Sequence, residues 1–159
     1  MAVDYYPLEK GRVLSYRSVT SGGEGSVDVE TLSVDAQGAR AHCRRTALGP
    51  AGTVTRRDFR VEIEAEELRS DGDMEFPLPA LPGRMWARPP REYSIETLSG
   101  RVDTPAGAFE DCLVVSYMIA GGDGGLGRRF YAPGVGFVHE SCEDEGDPFE
   151  LSLTAVKKP

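Results

Sequence analysis

Apolar side chains recur at every second position in several short segments, and this period constrains the fold of the chain more than any other feature. Phe59, Val61 and Ile63 alternate with charged residues, and the segment 149–155 alternates in the same way. Successive side chains on a strand point to opposite faces, so this alternation indicates strands with one buried face. No segment sustains the three- and four-residue spacing of an amphipathic helix. We therefore predict an all-β fold.

Turn residues divide the chain into about nine such strands within a single domain, residues 1–159. The 19 glycines and 11 prolines suit a fold with many turns. Consecutive hairpins generate an antiparallel meander, but an open half-barrel, a closed barrel and a sandwich all use such strands. Two strands are expected in one hairpin within residues 39–63, and the others near residues 12–20, 26–34, 92–103, 108–119, 128–132, 136–142 and 149–156.

The register of the hairpin within residues 39–63 can be predicted from its loop. Residues 50–52, Pro-Ala-Gly, suit a three-residue loop in which glycine supplies the left-handed position. A slip of one residue would destroy the matching of apolar with apolar and of charge with opposite charge. The expected pairs are Gly49 with Thr53, Cys43 with Phe59, Ala41 with Val61, Arg44 with Asp58 and Arg40 with Glu62. The same Pro-Ala-Gly loop at residues 105–107 predicts that Thr104 lies opposite Ala108.

Three further segments depart from simple alternation. The proline-dense segment 77–90 is predicted to be an extended crossover over one edge or end of the sheet, because proline cannot donate a ladder hydrogen bond. The segment 112–120, CLVVSYMIA, is apolar on both faces, which predicts a central strand covered on both sides. The acidic segment 61–70 indicates at most a brief helix or a continuing strand.

The charge of the chain excludes some classes of partner. A formal net charge of −8 and an isoelectric point near 4.8 disfavour binding to nucleic acid. No run of eighteen apolar residues is present, and the first residues show no secretion signal, so we expect no membrane span. A cytoplasmic location is expected for the chain as it stands, or a periplasmic one if an export signal has been removed.

Two glycine-rich stretches raise the question of a nucleotide site. Gly122, Gly124 and Gly127 match Gly-x-Gly-x-x-Gly, which binds phosphate only when a helix follows at once. The following stretch 131–138, YAPGVGFV, contains Pro133 and two glycines, which forbid that helix. We interpret it as a turn between two strands, with Val135, Phe137 and His139 on one face and Val138 and Glu140 on the other.

Cysteines, histidines and arginines give no strong sign of a metal or catalytic site. Cys43, Cys112 and Cys142 lack paired spacing and are expected to be reduced, buried thiols. His42 with Cys43 and His139 with Cys142 offer zinc ligands, but alternation points their side chains to opposite faces, so no metal or cofactor is predicted. The acidic run 143–147 lacks the spacing of a calcium loop.

One like-charged pair also follows from the predicted hairpin. Arg45 is expected opposite Arg57, which is unfavourable unless the pair is solvated or bridged by an anion. A solvated rim of the sheet is the simpler interpretation, because exposed charges usually contribute little to stability.

Three segments together resemble a group of bacterial proteins, many of them lipoproteins or periplasmic, that carry a "PAG-F" turn followed by "YYAPGVGLV". They are TPAGAF at 104–109, DCLVVSY at 111–117 and FYAPGVGFV at 130–138. The resemblance covers mainly residues 100–140. It implies a single curved antiparallel sheet, a half-barrel wrapped round a helix or a proline segment, and it carries no catalytic residues to this chain.

The preferred functional hypothesis is a non-enzymatic domain that binds an apolar small molecule on the concave face of the sheet. Trp86, Tyr117, Tyr131 and Phe137 are the candidate lining residues, although each also fits an ordinary core. The alternative is an interaction module that uses a sheet edge to bind a protein partner. An enzyme is less favoured, because the acid–base candidates Asp58, Glu62, His42 and His139 form no convergent set.

Overall fold

The computed structural model describes residues 2–121, 124–144 and 146–159, and these residues form twelve β-strands and one 3-10 helix. No helix in this part of the chain is long and apolar enough to cross a membrane. The helix η1 spans Ala2–Tyr5. The strands are β1 Val13–Thr20, β2 Gly23–Val34, β3 Arg40–Leu48, β4 Val54–Ile63, β5 Glu67–Ser70, β6 Asp73–Pro77, β7 Met85–Arg88, β8 Arg91–Thr104, β9 Gly107–Ile119, β10 Leu126–Ala132, β11 Gly136–Cys142 and β12 Phe149–Lys157.

All twelve strands belong to one open antiparallel sheet, in the order β6-β5-β4-β3-β2-β1-β12-β11-β10-β9-β8-β7. Strands that are consecutive in sequence pair with each other, except β6 and β7, and β1 pairs with β12 in the middle of the sheet. The prediction of an all-β antiparallel fold is therefore confirmed. The chain begins and ends at the centre of the sheet, and the two edges are the consecutive strands β6 and β7.

The predicted number of about nine strands is too low, because β5, β6 and β7 were not expected. Strands β5 and β6 form a hairpin whose turn is Asp71-Gly72, both residues with positive φ, as a tight two-residue hairpin turn requires. The segment 61–70 is therefore not helical, since it holds the end of β4 and all of β5. Strand β7 has only four residues and lies inside the proline-dense segment 77–90.

The predicted hairpin register between β3 and β4 is confirmed at every pair. Gly49 and Thr53 close the loop through a backbone hydrogen bond of 2.8 Å, and Gly52 has φ of 85°. The second Pro-Ala-Gly loop differs, because Thr104 lies opposite Gly107 and not opposite Ala108. Gly107 there belongs to the ladder, so the loop has two residues. The amide of Ala106 donates to the carbonyl of Leu153 on β12, a long-range contact that the local sequence does not reveal.

The sheet curves until its two edge strands approach each other. The Arg88 guanidinium of β7 lies 2.9 Å from the Asp73 carboxylate of β6. The crossover between these strands is therefore short and comprises residues 78–84. Two backbone hydrogen bonds hold it in place, from the Leu78 amide to the Glu66 carbonyl and from the Gly83 amide to the Ile95 carbonyl. This curvature is compatible with the expected half-barrel, with the proline segment passing from one edge to the other.

The stretch 131–138 is a turn between β10 and β11, as predicted. The amide of Val135 donates to the carbonyl of Ala132, and Gly134 between them has φ of 73°. The amide of Gly134 also donates to the carbonyl of Asp4, which fixes the N-terminal segment against this turn. Leu126–Ala132 is a strand, so the glycine motif is followed by no helix; Gly122 itself lies outside the described residues.

The strand β9 is buried on both faces, as its apolar sequence predicts, although it lies third from the β7 edge and not at the centre. Leu113 and Val115 belong to a core cluster shared with β3, β4 and β8, whereas Cys112 packs in a second cluster with Val138 and Leu153. All three cysteines are free and buried. Burial raises the pKa of the Cys112 thiol to about 11, so this group is not an activated nucleophile.

Candidate functional site

A cavity of about 480 Å³ lies on one face of the sheet, hereafter the inner face. This volume falls within the usual size of small-molecule sites, about 300–1,000 Å³. Its floor is buried and largely apolar, and its mouth carries exposed charged residues. The floor includes Arg12, Tyr16, Val27, Cys43, Phe59, Gly136 and Glu140. The mouth includes Arg45, Arg57, Asp71, Asp73 and Arg88.

Regular alternation on β1 to β4 arranges part of this lining in rows across the strands. Leu14 lies opposite Val29, Val29 opposite Arg45, and Arg45 opposite Arg57. An apolar pair and a cationic pair are therefore continuous along one row. Residues directly opposite each other on neighbouring strands lie about 4.5–5.5 Å apart, so a single small molecule can contact both pairs.

A β-bulge in β11 brings Glu140 to the inner face. Tyr131 of β10 lies opposite Phe137, whereas the preceding residue, Phe130, lies opposite His139, so the register shifts by one residue. Phe137 and Glu140 consequently both line the cavity. The predicted division of this strand into faces holds for Val135 and Phe137 but is wrong for His139 and Glu140. His139 instead packs its ring against Phe130 and lies 2.8 Å from the Ser152 hydroxyl.

In this part of the lining, the guanidinium of Arg129 lies over two neighbouring aromatic rings. Its Cζ atom is 5.5 Å from the centroid of Tyr93 and 5.4 Å from that of Tyr117, both within cation–π range. Its Nε donates to the Glu140 carboxylate at 3.2 Å, and its Nη1 lies 4.0 Å from the Glu75 carboxylate. Arg129 thus has two carboxylates and two aromatic faces as partners.

Two phenols complete this arrangement, which we call the Arg129 network. The Tyr117 hydroxyl donates to Glu140 at 2.6 Å, and the Tyr131 hydroxyl donates to Glu75 at 2.6 Å. Burial, together with the adjacent carboxylate, raises the pKa of both phenols far above the ordinary value. Burial has the largest single effect on the pKa of Arg129 and lowers it, but the attractions of Glu140, Tyr131, Glu75 and Tyr93 together outweigh burial, so the pKa is raised. Every charge in the network is therefore matched.

The structure separates the four predicted lining residues into two groups. Phe137 lines the cavity. Tyr131 is fully buried behind it, with ring centroids 5.6 Å apart, and Tyr117 is buried in the Arg129 network. Trp86 is half-buried and stacks on Tyr93 at 5.4 Å, with its indole nitrogen buried and without a hydrogen-bond partner in the described part of the chain.

Two cavity arginines differ from Arg129 because no carboxylate pairs with them among the described residues. Arg12 is only 4 % exposed, donates from Nη2 to the Gly134 carbonyl at 3.1 Å, and has a buried Nε without a partner. Arg45 faces Arg57, whose own guanidinium pairs with Asp71 at 3.0 Å. Burial lowers the pKa of both Arg12 and Arg45, and repulsion from Arg57 lowers that of Arg45 further.

The other sequence candidates lie away from the cavity. On the outer face, Arg44 and His42 both bond Asp58 and lower the pKa of its carboxyl to about 2. The neighbouring Cys43 is an exception to this placement: it is buried on the inner face, as the alternation predicts, and belongs to the cavity floor. Within the described ranges, no group of three histidine, cysteine or acidic side chains could hold a metal ion. Part of the acidic run, residue 145, lies outside those ranges.

Sequence reasoning predicted the Arg45–Arg57 pair but missed the acidic residues of this site. Glu75, Asp71 and Asp73 belong to the unexpected hairpin β5–β6, for which Asp-Gly at 71–72 is a turn signal in the sequence.

Gly127 supports the network in a different way. A Cβ atom there would lie 2.0 Å from the Tyr117 ring, so only glycine leaves room for that ring across β10.

Comparisons with known proteins support the fold alone. No protein-family model and no curated protein matches the chain. One similar solved structure is a protein from Parabacteroides distasonis, provisionally described as a lipoprotein, with a TM-score of 0.67 and 16 % identity. Another is a protein from Bacteroides fragilis, provisionally described as exported and with a YmcC-like fold, with a TM-score of 0.63 and 17 % identity. Each alignment covers 96 % of this chain and 98 % of the other.

Proposed function

We propose that this domain binds a small molecule with a substantial apolar part in the cavity on the inner face. The observation that carries the proposal is the cavity itself, about 480 Å³ with a buried, mainly apolar floor. Protein interiors are packed to the density of organic crystals, so a domain usually fills such a space with its own side chains. A space of this size that stays open is therefore a candidate ligand site.

The Arg129 network gives this cavity a rigid wall. Its hydrogen bonds join β6, β9, β10 and β11, so that Phe137 and Glu140 are held in place before a ligand arrives. A preformed site lowers the entropic cost of binding. In this proposal Phe137 contacts the ligand, whereas Trp86, Tyr117 and Tyr131 support the wall from behind.

We further propose that the protein works as an exported, half-barrel binding domain of the lipoprotein-like group that its Pro-Ala-Gly and YAPGVGFV segments resemble. Both solved structures named above are described as a lipoprotein or an exported protein, which supports this location. Fractionation of cells that produce the full-length gene product would test it. Recovery from the cytoplasm alone would contradict it.

A neutral dye tests the binding proposal without involving charge. Nile red fluorescence should rise on titration with the protein, and Val29→Trp should abolish the rise because the indole fills the cavity floor beside Leu14. Asp28→Trp is the matched control, since position 28 is exposed on the other face of the same strand. Native mass spectrometry should also find a co-purified small molecule. Absence of both signals would contradict the proposal, as would equal loss in the two variants.

A second candidate, a docking surface for a protein partner, has one observation in its favour. Met118 and Leu126 lie opposite each other on β9 and β10 and are 54 % and 59 % exposed, and Met85 on the edge strand β7 is 73 % exposed. Light scattering at rising concentration should then show a dimer that Met118→Glu disrupts and Leu48→Glu, an exposed control elsewhere, does not. A monomer at all concentrations would count against self-association.

A further inference from the structure

The charges that line the cavity do not balance. Arg57 pairs with Asp71, Arg88 pairs with Asp73, and Arg129 pairs with Glu140. Glu75 shares Arg129 and accepts the Tyr131 hydroxyl. Arg12 and Arg45 remain; neither forms an ion pair with a carboxylate in the described part of the chain, although the charge of Glu9 acts on Arg12 from a greater distance. The lining thus holds five arginines and four carboxylates, an excess of one positive charge, whereas the protein as a whole is acidic.

At the mouth, the Arg45–Arg57 pair places two guanidinium groups on neighbouring strands of the inner face. Like charges directly opposite each other destabilise a sheet unless something compensates them, and Asp71 compensates only Arg57. Guanidinium groups present planar donors that match carboxylate and phosphate oxygens. An acidic group at this position would contact Arg45, and the apolar Val29 and Leu14 continue the same row.

On the floor, Arg12 gives an independent sign of a missing acceptor. Its side chain is almost completely buried, and its Nε has no hydrogen-bond partner among the described residues. Buried polar groups are nearly always hydrogen-bonded, because leaving one unpaired costs about 1–3 kcal/mol. Arg12 lines the cavity, so an occupant with an oxygen atom could satisfy it.

We propose that the ligand is an amphipathic organic anion, whose apolar part packs on the Leu14–Val29 side and whose acidic group is held by Arg45 or by Arg12. This inference rests on the proposed function and adds the ligand's chemical class. It applies equally to a carboxylate, a phosphate ester or a sulfate that carries an apolar chain, since all three present acceptor oxygens to guanidinium donors.

Three probes that differ only in their head group test the proposal. Decanoate, decanol and decylammonium share one chain and are respectively anionic, neutral and cationic. By isothermal titration calorimetry, decanoate should bind about tenfold or more tighter than decanol, as one charge-assisted contact allows, and decylammonium should bind weakest. If decanol binds as tightly as decanoate, the anion proposal is overturned while the binding proposal stands. If none of the three binds and Nile red also fails, both are overturned.

Charge-removing variants then identify the head-group position. Arg45→Met or Arg12→Met should reduce decanoate affinity about tenfold and leave decanol affinity unchanged, because methionine keeps the apolar stem. Arg56→Met is the matched control, as Arg56 is exposed on the outer face of β4 next to Arg57. Thermal melting of each variant verifies folding. If both cavity variants keep the preference for decanoate, the assignment to these arginines is overturned.

Discussion

The cavity has two sides that treat their charges in opposite ways. The network wall, formed by β6, β10 and β11, contains Arg129, which contacts two carboxylates and two aromatic rings. The two carboxylates also accept hydrogen bonds from two phenols. The open wall, formed by β1 to β4, contains Arg12 with an unpartnered Nε and Arg45 opposite another arginine. Both walls are part of one sheet and face the same space.

If the proposed function holds, this difference separates residues that serve the fold from residues that are free to bind a ligand. A fully matched polar cluster stabilises one conformation and offers no free donor to a ligand, whereas an unmatched guanidinium contributes to stability only when an acceptor arrives. The comparison therefore predicts large stability losses from substitutions in the network wall. It predicts small losses from substitutions in the open wall, where the effect should fall on binding.

The largest stability loss is expected from Glu140→Ala. The substitution leaves Arg129 buried with only the more distant Glu75, and it removes the acceptor of the Tyr117 hydroxyl. Breaking a buried ion pair in this way costs about 3–5 kcal/mol of unfolding free energy. Urea denaturation monitored by circular dichroism measures it. The control is Glu110→Ala, since Glu110 pairs with Arg101 at the surface and its loss should cost less than about 1 kcal/mol. Equal effects would remove the distinction between the two walls.

A slightly smaller loss, about 3 kcal/mol, is expected from Gly127→Ala. The new methyl group would lie 2.0 Å from the Tyr117 ring and would displace it from Arg129, and such overpacking costs about 1–3 kcal/mol. Gly49→Ala is the control, because a Cβ atom there meets only the Thr53 carbonyl at an ordinary 3.6 Å. Urea denaturation of both variants gives the comparison. A Gly127→Ala protein as stable as the control would show that the ring position is not fixed.

Tyr131→Phe should cost about 1–2 kcal/mol, because it leaves the Glu75 carboxylate without its phenol donor while keeping the ring packing against Phe137. Glu75 retains the distant Arg129, so the loss should be smaller than that of Glu140→Ala. Thermal and urea unfolding provide the measurement. A loss greater than that of Glu140→Ala would mean that the Tyr131–Glu75 hydrogen bond, and not the Arg129–Glu140 ion pair, contributes most to the stability of the network wall.

Much of the sheet could be predicted because its information is local. The β3–β4 register follows from a three-residue loop and from the matching of Arg44 with Asp58, all within a short stretch of chain. The hairpin β5–β6 was missed although Asp71-Gly72 signals it, because its strands have only four and five residues and β5 lies in the acidic segment 61–70. The two-residue loop at 105–106 was missed because it makes a contact that the local sequence does not reveal. The loop contacts Leu153 on β12, which is distant in sequence.

The site could be predicted only in part because its residues are brought together by the tertiary structure. Phe137 was expected in the lining, but Glu140 reaches the cavity through a bulge that alternation does not show. Tyr131 and Glu75 are 56 residues apart in sequence. They form a hydrogen bond because the curvature of the sheet brings the edge strand β6 close to β10. The unusual environment of Arg12 depends on the turn at Gly134, whose position in space the sequence around residue 12 does not indicate.

The smallest stability effect is expected from Arg12→Met. Only the hydrogen bond to the exposed Gly134 carbonyl is lost, and water can replace it, whereas a buried charge without a carboxylate partner is removed. Replacing a buried ion by an apolar side chain of similar length is often neutral or stabilising. We therefore expect the unfolding free energy to stay the same or to rise by up to about 1 kcal/mol. Thermal melting in the absence of ligand measures this change. A loss comparable to that of Glu140→Ala would place Arg12 among the structural residues and would remove the difference between the two walls.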